Sequence, residues 1–226
     1  MPRDAMGAVV DEAGGGVRIE ELQIDPPGRD EVLVRVVASG VCHSDLWAIE
    51  YGNWGAPFPM LLGHEGAGIV EEVGDGVRTA VVGDPVVLAW AVPCGSCGPC
   101  RRGVPRRCSH AWVQPPRVRR ARDAAPLSGT LSLGTLATHT VVHAAQAIPM
   151  PAELPLRSGC LLGCGVSTGV GAATQTAKVW PGARVAVIGL GGIGLAALQG
   201  ARIAGAERLI AVDLAPPKLD WAKRFG

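Results

Sequence analysis

A glycine-rich turn near the end of the chain places the strongest constraint on the fold. Residues 189–194 read GLGGIG, and they follow a strand that the sequence predicts at residues 184–188. They open a predicted helix at residues 192–204, and a second predicted strand at 208–212 ends beside Asp213, 19 residues after Gly194. This order of strand, turn, helix, strand and acid predicts part of a parallel-sheet domain that binds a dinucleotide.

Each position of this turn has a physical role in such a domain. Gly189 permits the tight turn, Gly191 lets the backbone approach a pyrophosphate, and Gly194 lets the helix lie on the sheet. The helix N-terminus offers N–H groups and a partial positive charge to the phosphates. Asp213 would accept hydrogen bonds from ribose hydroxyls and repel a 2′-phosphate, which favours NAD over NADP.

The first half of the chain has a different sequence pattern. Short β-rich runs at residues 32–37, 68–73 and 85–88 are separated by segments rich in glycine and proline, which predicts an all-β barrel or sandwich. Aromatic residues make up 4% of the chain, so the core is expected to consist of Val, Leu, Ile and Ala.

Charge and hydropathy exclude two function classes. The net charge of +1 lacks the basic excess of nucleic-acid-binding proteins. The longest uncharged apolar run, residues 185–198, has 14 residues, whereas a membrane-spanning helix needs about 20. The N-terminus lacks the apolar stretch of a signal peptide, and we therefore expect a cytoplasmic protein.

Four of the seven cysteines lie within 15 residues. Two spacers of two residues and one of seven allow a single loop to surround a tetrahedral Zn²⁺, and no coordination position stays open, so this zinc would be structural. Reduced surface thiols or disulfides are the alternative interpretation. A zinc-ribbon nucleic-acid module is disfavoured by the charge balance and the few aromatic residues. The four are Cys94, Cys97, Cys100 and Cys108.

A second set of potential ligands is scattered along the chain. Cys42, His64 with its neighbour Glu65, and Cys164 offer two thiolates and one imidazole, which leaves a fourth position on a zinc ion for water or substrate. Single Cys and His residues are more often buried or solvated than ligating, so from spacing alone a loop histidine with satisfied hydrogen bonds is the favoured interpretation of His64.

Five ordered motifs together carry a family resemblance. They are residues 40–46 (GVCHSDL), residues 62–70 (LGHEGAGIV), the four-cysteine loop, residues 163–169 (GCGVSTG) and the glycine-rich turn. The chain resembles the zinc-dependent medium-chain alcohol dehydrogenases. The resemblance implies an α/β protein with a β-rich part: a GroES-like β-barrel catalytic domain at residues 1–155, with a zinc lobe at about 90–112, followed by a partial Rossmann domain at residues 156–226.

The resemblance also assigns roles near a catalytic zinc. It implies that Cys42, His64 and Cys164 are the ligands and that Glu65 can approach the metal. Asp45 would orient His64 through its other ring nitrogen, and Ser44 would take the alcohol proton.

Further residues are implied as cofactor contacts. His43 is expected near the pyrophosphate, Thr168 and Ile193 near the nicotinamide, and Lys218 beside Asp213 at the ribose. The complete expected cofactor set is His43, Thr168, Gly189, Gly191, Gly192, Ile193, Gly194, Asp213 and Lys218.

The implied function is NAD-linked oxidation of an alcohol, or of a hydroxymethyl thiol adduct as in thiol-dependent formaldehyde dehydrogenases, to an aldehyde or ester. Two zinc ions per chain, a small-molecule substrate and a homo-oligomeric full-length protein are expected, with no nucleic-acid or membrane partner. Trp47 stands where many members of the family have a histidine that relays protons. Because the chain is also shorter than the family, a truncated, catalytically inactive zinc-binding fragment is the alternative.

Two further features have structural interpretations. Cys160, four residues before Cys164, is expected to be a buried small hydrophobe. Residues 117–122 include four arginines, for which a solvated loop is expected and an anion site is the alternative.

Overall fold

The computed structural model describes residues 1–52, 56–109 and 117–225. The chain divides into two compact units, Met1–Gly163 and Cys164–Gly226. Residues 110–112 of the predicted zinc lobe lie outside the described residues.

The first unit is built on two five-stranded sheets within the described residues. One has the order β7-β2-β1-β4-β8 and the other the order β10-β6-β5-β3-β9. Neighbouring strands run antiparallel except β4 and β8, which are parallel. The strands are β1 (Arg3–Val10), β2 (Arg18–Ile24), β3 (Glu31–Gly40), β4 (Met60–Leu61), β5 (Glu65–Val73), β6 (Pro85–Leu88), β7 (Val118–Arg120), β8 (Ser128–Gly129), β9 (His139–His143) and β10 (Ala147–Pro149).

Aliphatic side chains form the core of this unit, as the sparse aromatic content predicts. One cluster includes Val32, Val34 and Val70. Another includes Leu22 and Ile24. Burying each such side chain fully contributes about 1.5–3 kcal/mol. The predicted strands at residues 32–37, 68–73 and 85–88 are confirmed as parts of β3, β5 and β6.

The described residues of the first unit also include three α-helices: α1 (His43–Tyr51), α2 (Gly98–Arg101) and α3 (Leu156–Gly159). Short 3₁₀ turns occupy Pro105–Arg107, Thr130–Ser132, Ala144–Gln146 and Cys160–Gly163. Helix α1 is anchored by Ala48, which is fully buried in a cluster with Val10, Met60 and Leu62. The start of α1 is therefore fixed against the barrel.

The second unit contains a two-stranded parallel sheet and three helices in the described residues. Its elements are α4 (Gly165–Gly171), which continues as a π-helical turn (Ala172–Thr176), then β11 (Arg184–Ile188), α5 (Gly192–Ile203), β12 (Arg208–Val212) and α6 (Pro216–Phe225). Strand β11 pairs with β12 from Arg184 opposite Arg208 to Ile188 opposite Val212. Both strands match the predicted bounds, and Leu190, Leu198 and Ala222 are the buried centre of the packing.

The arginine-rich segment differs from the expected solvated loop. Residues 118–120 form β7, which pairs with β2. Each of the four arginines pairs with a carboxylate: Arg117 with Glu31, Arg119 with Asp25, Arg120 with Asp11 and Arg122 with Glu20. This pairing argues against the alternative of an anion site, because the positive charges are already compensated within the barrel.

Across the described part of the chain, no helix combines the length and the apolar character needed to cross a bilayer.

Candidate metal centres and nucleotide-binding turn

The four cysteines of the loop converge on one point. Their Sγ atoms all lie within 4.8 Å of one another. Two backbone N–H groups point at sulfur, from Cys97 to Cys94 Sγ at 3.3 Å and from Cys94 to Cys108 Sγ at 3.4 Å. Gly95, with φ of +71°, makes the turn between the first two cysteines. The loop therefore folds around its own sulfur atoms.

The pKa values of three cysteines in this loop differ widely because the four thiols lie close together. Backbone N–H groups of Cys100 and Ser109 lower the pKa of Cys97 to about 5. Contacts with Ser96 lower the pKa of Cys94 to about 7. Burial and the neighbouring Cys97 raise the pKa of Cys100 to about 12. Four thiolates can be present together only with a compensating cation, and the set of four sulfur donors fits Zn²⁺.

The second cluster is assembled by sheet pairing. Strand β3 leads directly to Cys42, and His64 and Glu65 stand at the start of β5. The two strands are antiparallel neighbours, with Gly40 opposite Glu65. The end of β3 therefore lies beside the start of β5, and the ligand atoms of Cys42, His64 and Glu65 come within 4.8 Å of one another.

His64 has one satisfied and one unsatisfied ring nitrogen. The side chain is completely buried, and Nδ1 lies 3.1 Å from Asp45 Oδ1. Nε2 has no hydrogen-bond partner among the described residues. Burial lowers the pKa of His64, but the contacts with Asp45 and Cys42 together outweigh it and the pKa is raised overall. An orphaned imidazole nitrogen beside a thiol and a carboxylate fits a zinc ligand set.

Asp45 ties the parts of this cluster together. It is nearly fully buried in the first turn of α1. Its Oδ2 accepts a hydrogen bond from the Cys42 backbone N–H at 3.0 Å, and its Oδ1 accepts one from the Gly63 N–H at 3.2 Å. One carboxylate thus contacts both the segment that carries Cys42 and the segment that carries His64.

The structure also describes the surroundings of the other residues predicted near the catalytic zinc. Ser44 is half-buried and His43 exposed in the first turn of α1. Trp47 is 51% exposed and packs against Tyr51, with ring centroids 4.5 Å apart and the ring planes tilted by 47°. Cys164 is the first residue of the second unit and follows Gly163, the last residue of the first.

The glycine-rich turn has the geometry that its sequence predicts. Gly189 has φ of +91°. A Cβ on Gly194 would lie 1.9 Å from the Gly189 carbonyl oxygen, whereas a Cβ on Gly191 or Gly192 would meet open space. Any side chain at Gly194 would push α5 away from the turn. Open space at Gly191 leaves the turn accessible to a ligand.

Asp213 is held at the end of β12. It accepts hydrogen bonds from the backbone N–H groups of Leu190 at 2.7 Å and Ala215 at 2.9 Å, and Lys218 Nζ lies 3.4 Å away. The N–H groups of Ala215 and Leu190 lower the pKa of Asp213, so the carboxylate is charged at neutral pH.

Helix α4 approaches α5 near the predicted nicotinamide contacts. A Cβ on Gly169 would lie 2.3 Å from the Ile193 carbonyl oxygen, so only glycine allows this approach. Thr168 precedes Gly169, and both Thr168 and Ile193 are exposed. The structure therefore brings the segments that carry Thr168 and Ile193 into contact.

Comparison with known families agrees with this geometry. Residues 28–152, more than half of the chain, match the family described as the alcohol dehydrogenase GroES-like domain. The chain belongs to this alcohol dehydrogenase family. The predicted family and the predicted fold class, a GroES-like part followed by a partial Rossmann part, are confirmed.

Alcohol dehydrogenase relatives match nearly the whole chain. An S-(hydroxymethyl)glutathione dehydrogenase of Escherichia coli is 41% identical over 97% of this chain. The solved structure of an alcohol dehydrogenase zinc-binding domain protein from Burkholderia ambifaria is 38% identical, with a TM-score of 0.92 over 100% of this chain and 63% of its own length. Benzyl alcohol dehydrogenase from Acinetobacter calcoaceticus is 33% identical, with a TM-score of 0.87 over 99% of this chain and 62% of its own. The chain spans about 61% of the length of the Escherichia coli relative.

Two side chains beside the second cluster were missed in the sequence analysis. Thr135 is buried in the loop before β9, and its Oγ1 lies 2.8 Å from Ser39 Oγ on β3. Neither residue belongs to a metal-ligand spacing or a recognisable motif, so no local signal pointed to them.

Proposed function

We propose that this chain carries the catalytic metal site and the nucleotide-binding turn of an NAD-linked, zinc-dependent alcohol dehydrogenase. The observation that carries the proposal is the buried, unpartnered Nε2 of His64 beside Cys42 and Glu65. We further propose a catalytic domain at residues 1–155 and a nucleotide-binding part at residues 156–226.

Three residues would hold the catalytic zinc: Cys42, His64 and Cys164. Support for Cys164 comes from the motif at residues 163–169 (GCGVSTG), which carries part of the family resemblance. The loop cysteines Cys94, Cys97, Cys100 and Cys108 would hold a second, structural zinc.

The chain's own residues would prepare the site for an alcohol. When bound, zinc supplies Lewis-acid polarisation and NAD supplies the hydride acceptor. Asp45 accepts from His64 Nδ1–H, which keeps the lone pair of Nε2 free for the metal. Ser44 Oγ would accept the proton of the alcohol hydroxyl, and Glu65 would approach the metal during ligand exchange. Trp47 cannot replace a relay histidine, because an indole N–H only donates.

The nucleotide would bind through backbone groups and one carboxylate. The N–H groups at the start of α5 would face the pyrophosphate. Asp213, with Lys218 beside it, would accept hydrogen bonds from the ribose hydroxyls. His43 would contact the pyrophosphate, and Thr168 and Ile193 would contact the nicotinamide.

The proposed substrate is a small alcohol or a hydroxymethyl adduct of a thiol, oxidised to an aldehyde or ester. Support comes from the relatives, which are named for S-(hydroxymethyl)glutathione and benzyl alcohol. We propose the cytoplasm as the compartment, because none of the seven cysteines, all within the described residues, forms a disulfide.

The test compares two histidines in the purified 226-residue chain. Zinc content is measured by mass spectrometry, and NADH formation is followed with benzyl alcohol and with S-(hydroxymethyl)glutathione. We expect two zinc ions per chain, and one after His64→Gln with loss of turnover. His139→Gln changes a histidine outside both clusters and should keep both ions and the activity. Retention of the second zinc or of turnover in His64→Gln contradicts the proposal, as does absence of NADH formation by the unaltered chain.

A further inference from the structure

Thr135 contacts the turn that precedes the metal-binding residues. It is 1% exposed in the loop before β9. Its backbone N–H donates to the Gly63 carbonyl oxygen at 3.0 Å. Its hydroxyl shares a hydrogen bond of 2.8 Å with Ser39 Oγ, which lies on the neighbouring strand β3. Backbone and side chain of Thr135 are therefore both engaged, the first with Gly63 and the second with Ser39.

The two glycines that flank His64 and Glu65 both pack against Thr135. A Cβ on Gly63 would lie 2.8 Å from Thr135 Oγ1, and a Cβ on Gly66 would lie 2.6 Å from Thr135 Cγ2. The hydroxyl thus faces the residue before His64, and the methyl group faces the residue after Glu65. In this way a single side chain packs against both ends of the segment that carries the candidate ligands.

Gly63 and Asp45 then control different degrees of freedom of His64, the direction of its side chain and the rotation of its ring. Gly63 has φ of +95°, and its turn sets the direction of the His64 Cα–Cβ bond. Thr135 and Leu136 occupy the space beside Gly63, because a Cβ there would also lie 2.3 Å from the Leu136 backbone nitrogen. Asp45 contacts the imidazole itself and sets the rotation of the ring.

We infer that Thr135 is a positioning residue that fixes the direction of His64 Nε2 through the turn at Gly63. The inference rests on the proposed metal-binding role of His64. Partners one step removed from a metal ligand typically change metal affinity by about 10- to 100-fold when they are removed. Such partners act by holding the ligand in its binding orientation before the metal arrives.

The experiment uses Thr135→Val, which removes the hydroxyl and keeps the shape of the side chain. Thr140→Val is the matched control, because Thr140 is equally buried and its hydroxyl donates to the Leu133 carbonyl oxygen. Two properties are measured in the full chain. One is the hydrogen-exchange rate of the His64 Nδ1–H by NMR before metal is added, and the other is Co²⁺ affinity with the visible absorption spectrum.

We expect Thr135→Val to accelerate exchange of the His64 N–H several-fold, to weaken Co²⁺ binding by about 10-fold and to shift the absorption bands. Thr140→Val should leave all three unchanged while lowering the melting temperature by a similar amount. Thr135→Ser keeps the hydroxyl but loses the methyl group over Gly66, so it should give an intermediate result. It replaces Thr135→Val if the latter does not fold.

The outcomes separate this inference from the proposed function. If the Thr135 variants match Thr140→Val in both measurements, the positioning role is wrong. If the unaltered chain binds no Co²⁺ at His64, the proposed function fails, and the exchange rates alone then decide whether Thr135 positions the imidazole.

Discussion

The two candidate metal-binding clusters described in the first unit are constructed in different ways. The loop cluster takes all four ligands from one segment, residues 94–108, and its sulfur atoms are met by backbone N–H groups of the same loop. The barrel cluster brings Cys42 beside His64 through the pairing of β3 with β5. Its imidazole is completely buried and held by Asp45.

This difference predicts different dependence on metal. Most of the loop residues that the structure describes are exposed or half-buried, so the four thiolates need a cation to stay together, and metal binding and folding are one event. The barrel cluster stands on two core clusters that exist without metal. Its geometry is therefore expected to be formed before metal binds.

The largest expected effect comes from removing one ligand of the loop. Cys97→Ser should abolish the structural zinc and with it on the order of 10 kcal/mol of binding free energy that also folds the loop. Trypsin should then cleave after Arg101 and Arg102 while the barrel stays intact, as measured by mass spectrometry of the fragments. Cys160→Ser, at a buried cysteine outside both clusters, is the control. If the Cys97→Ser loop stays uncleaved and keeps its zinc, the predicted dependence of the loop on metal is wrong.

A smaller effect is expected when one glycine beside each cluster is replaced by alanine. Gly63 and Gly95 both have positive φ, at +95° and +71°. A Cβ on Gly63 would collide with Leu136 and Thr135, whereas a Cβ on Gly95 would meet nothing within 4 Å. Gly63→Ala should lower the free energy of unfolding by about 3 kcal/mol, and Gly95→Ala by about 1 kcal/mol. Urea denaturation measures both, and equal losses would show that the barrel does not hold its turn more tightly than the loop.

The smallest effect concerns a histidine outside both clusters. Burial lowers the pKa of His139, an effect that Glu71 opposes and Arg3 reinforces. The unfolded chain therefore binds this proton more readily, and stability falls as pH drops below about 6.5 towards the lowered folded pKa. His139→Gln should remove a few tenths of a kcal/mol of this pH dependence. Urea denaturation at pH 5.5 and 7.5 tests this, and an unchanged difference between the two pH values would contradict it.

Several features were readable from short stretches of sequence. The strands at residues 184–188 and 208–212 and the turn between β11 and α5 follow from local patterns, because glycine spacing and apolar runs act over a few residues. The convergence of the four loop cysteines follows in the same way from spacing. The arginines at residues 117–122 were misjudged, because their carboxylate partners lie on strands that are distant in sequence.

By itself, the sequence therefore determined the family, the order of β11, α5 and β12, the four-cysteine loop and the glycine-rich turn. The tertiary structure alone decided that Nε2 of His64 is buried with no partner among the described residues, that Asp45 reaches both Cys42 and Gly63, and that Thr135 packs over the turn. The physical reason is the range of the interactions. Local spacing limits where a loop can go, whereas the environment of His64 depends on side chains that only the pairing of β3 with β5 and the packing of the loop before β9 bring together.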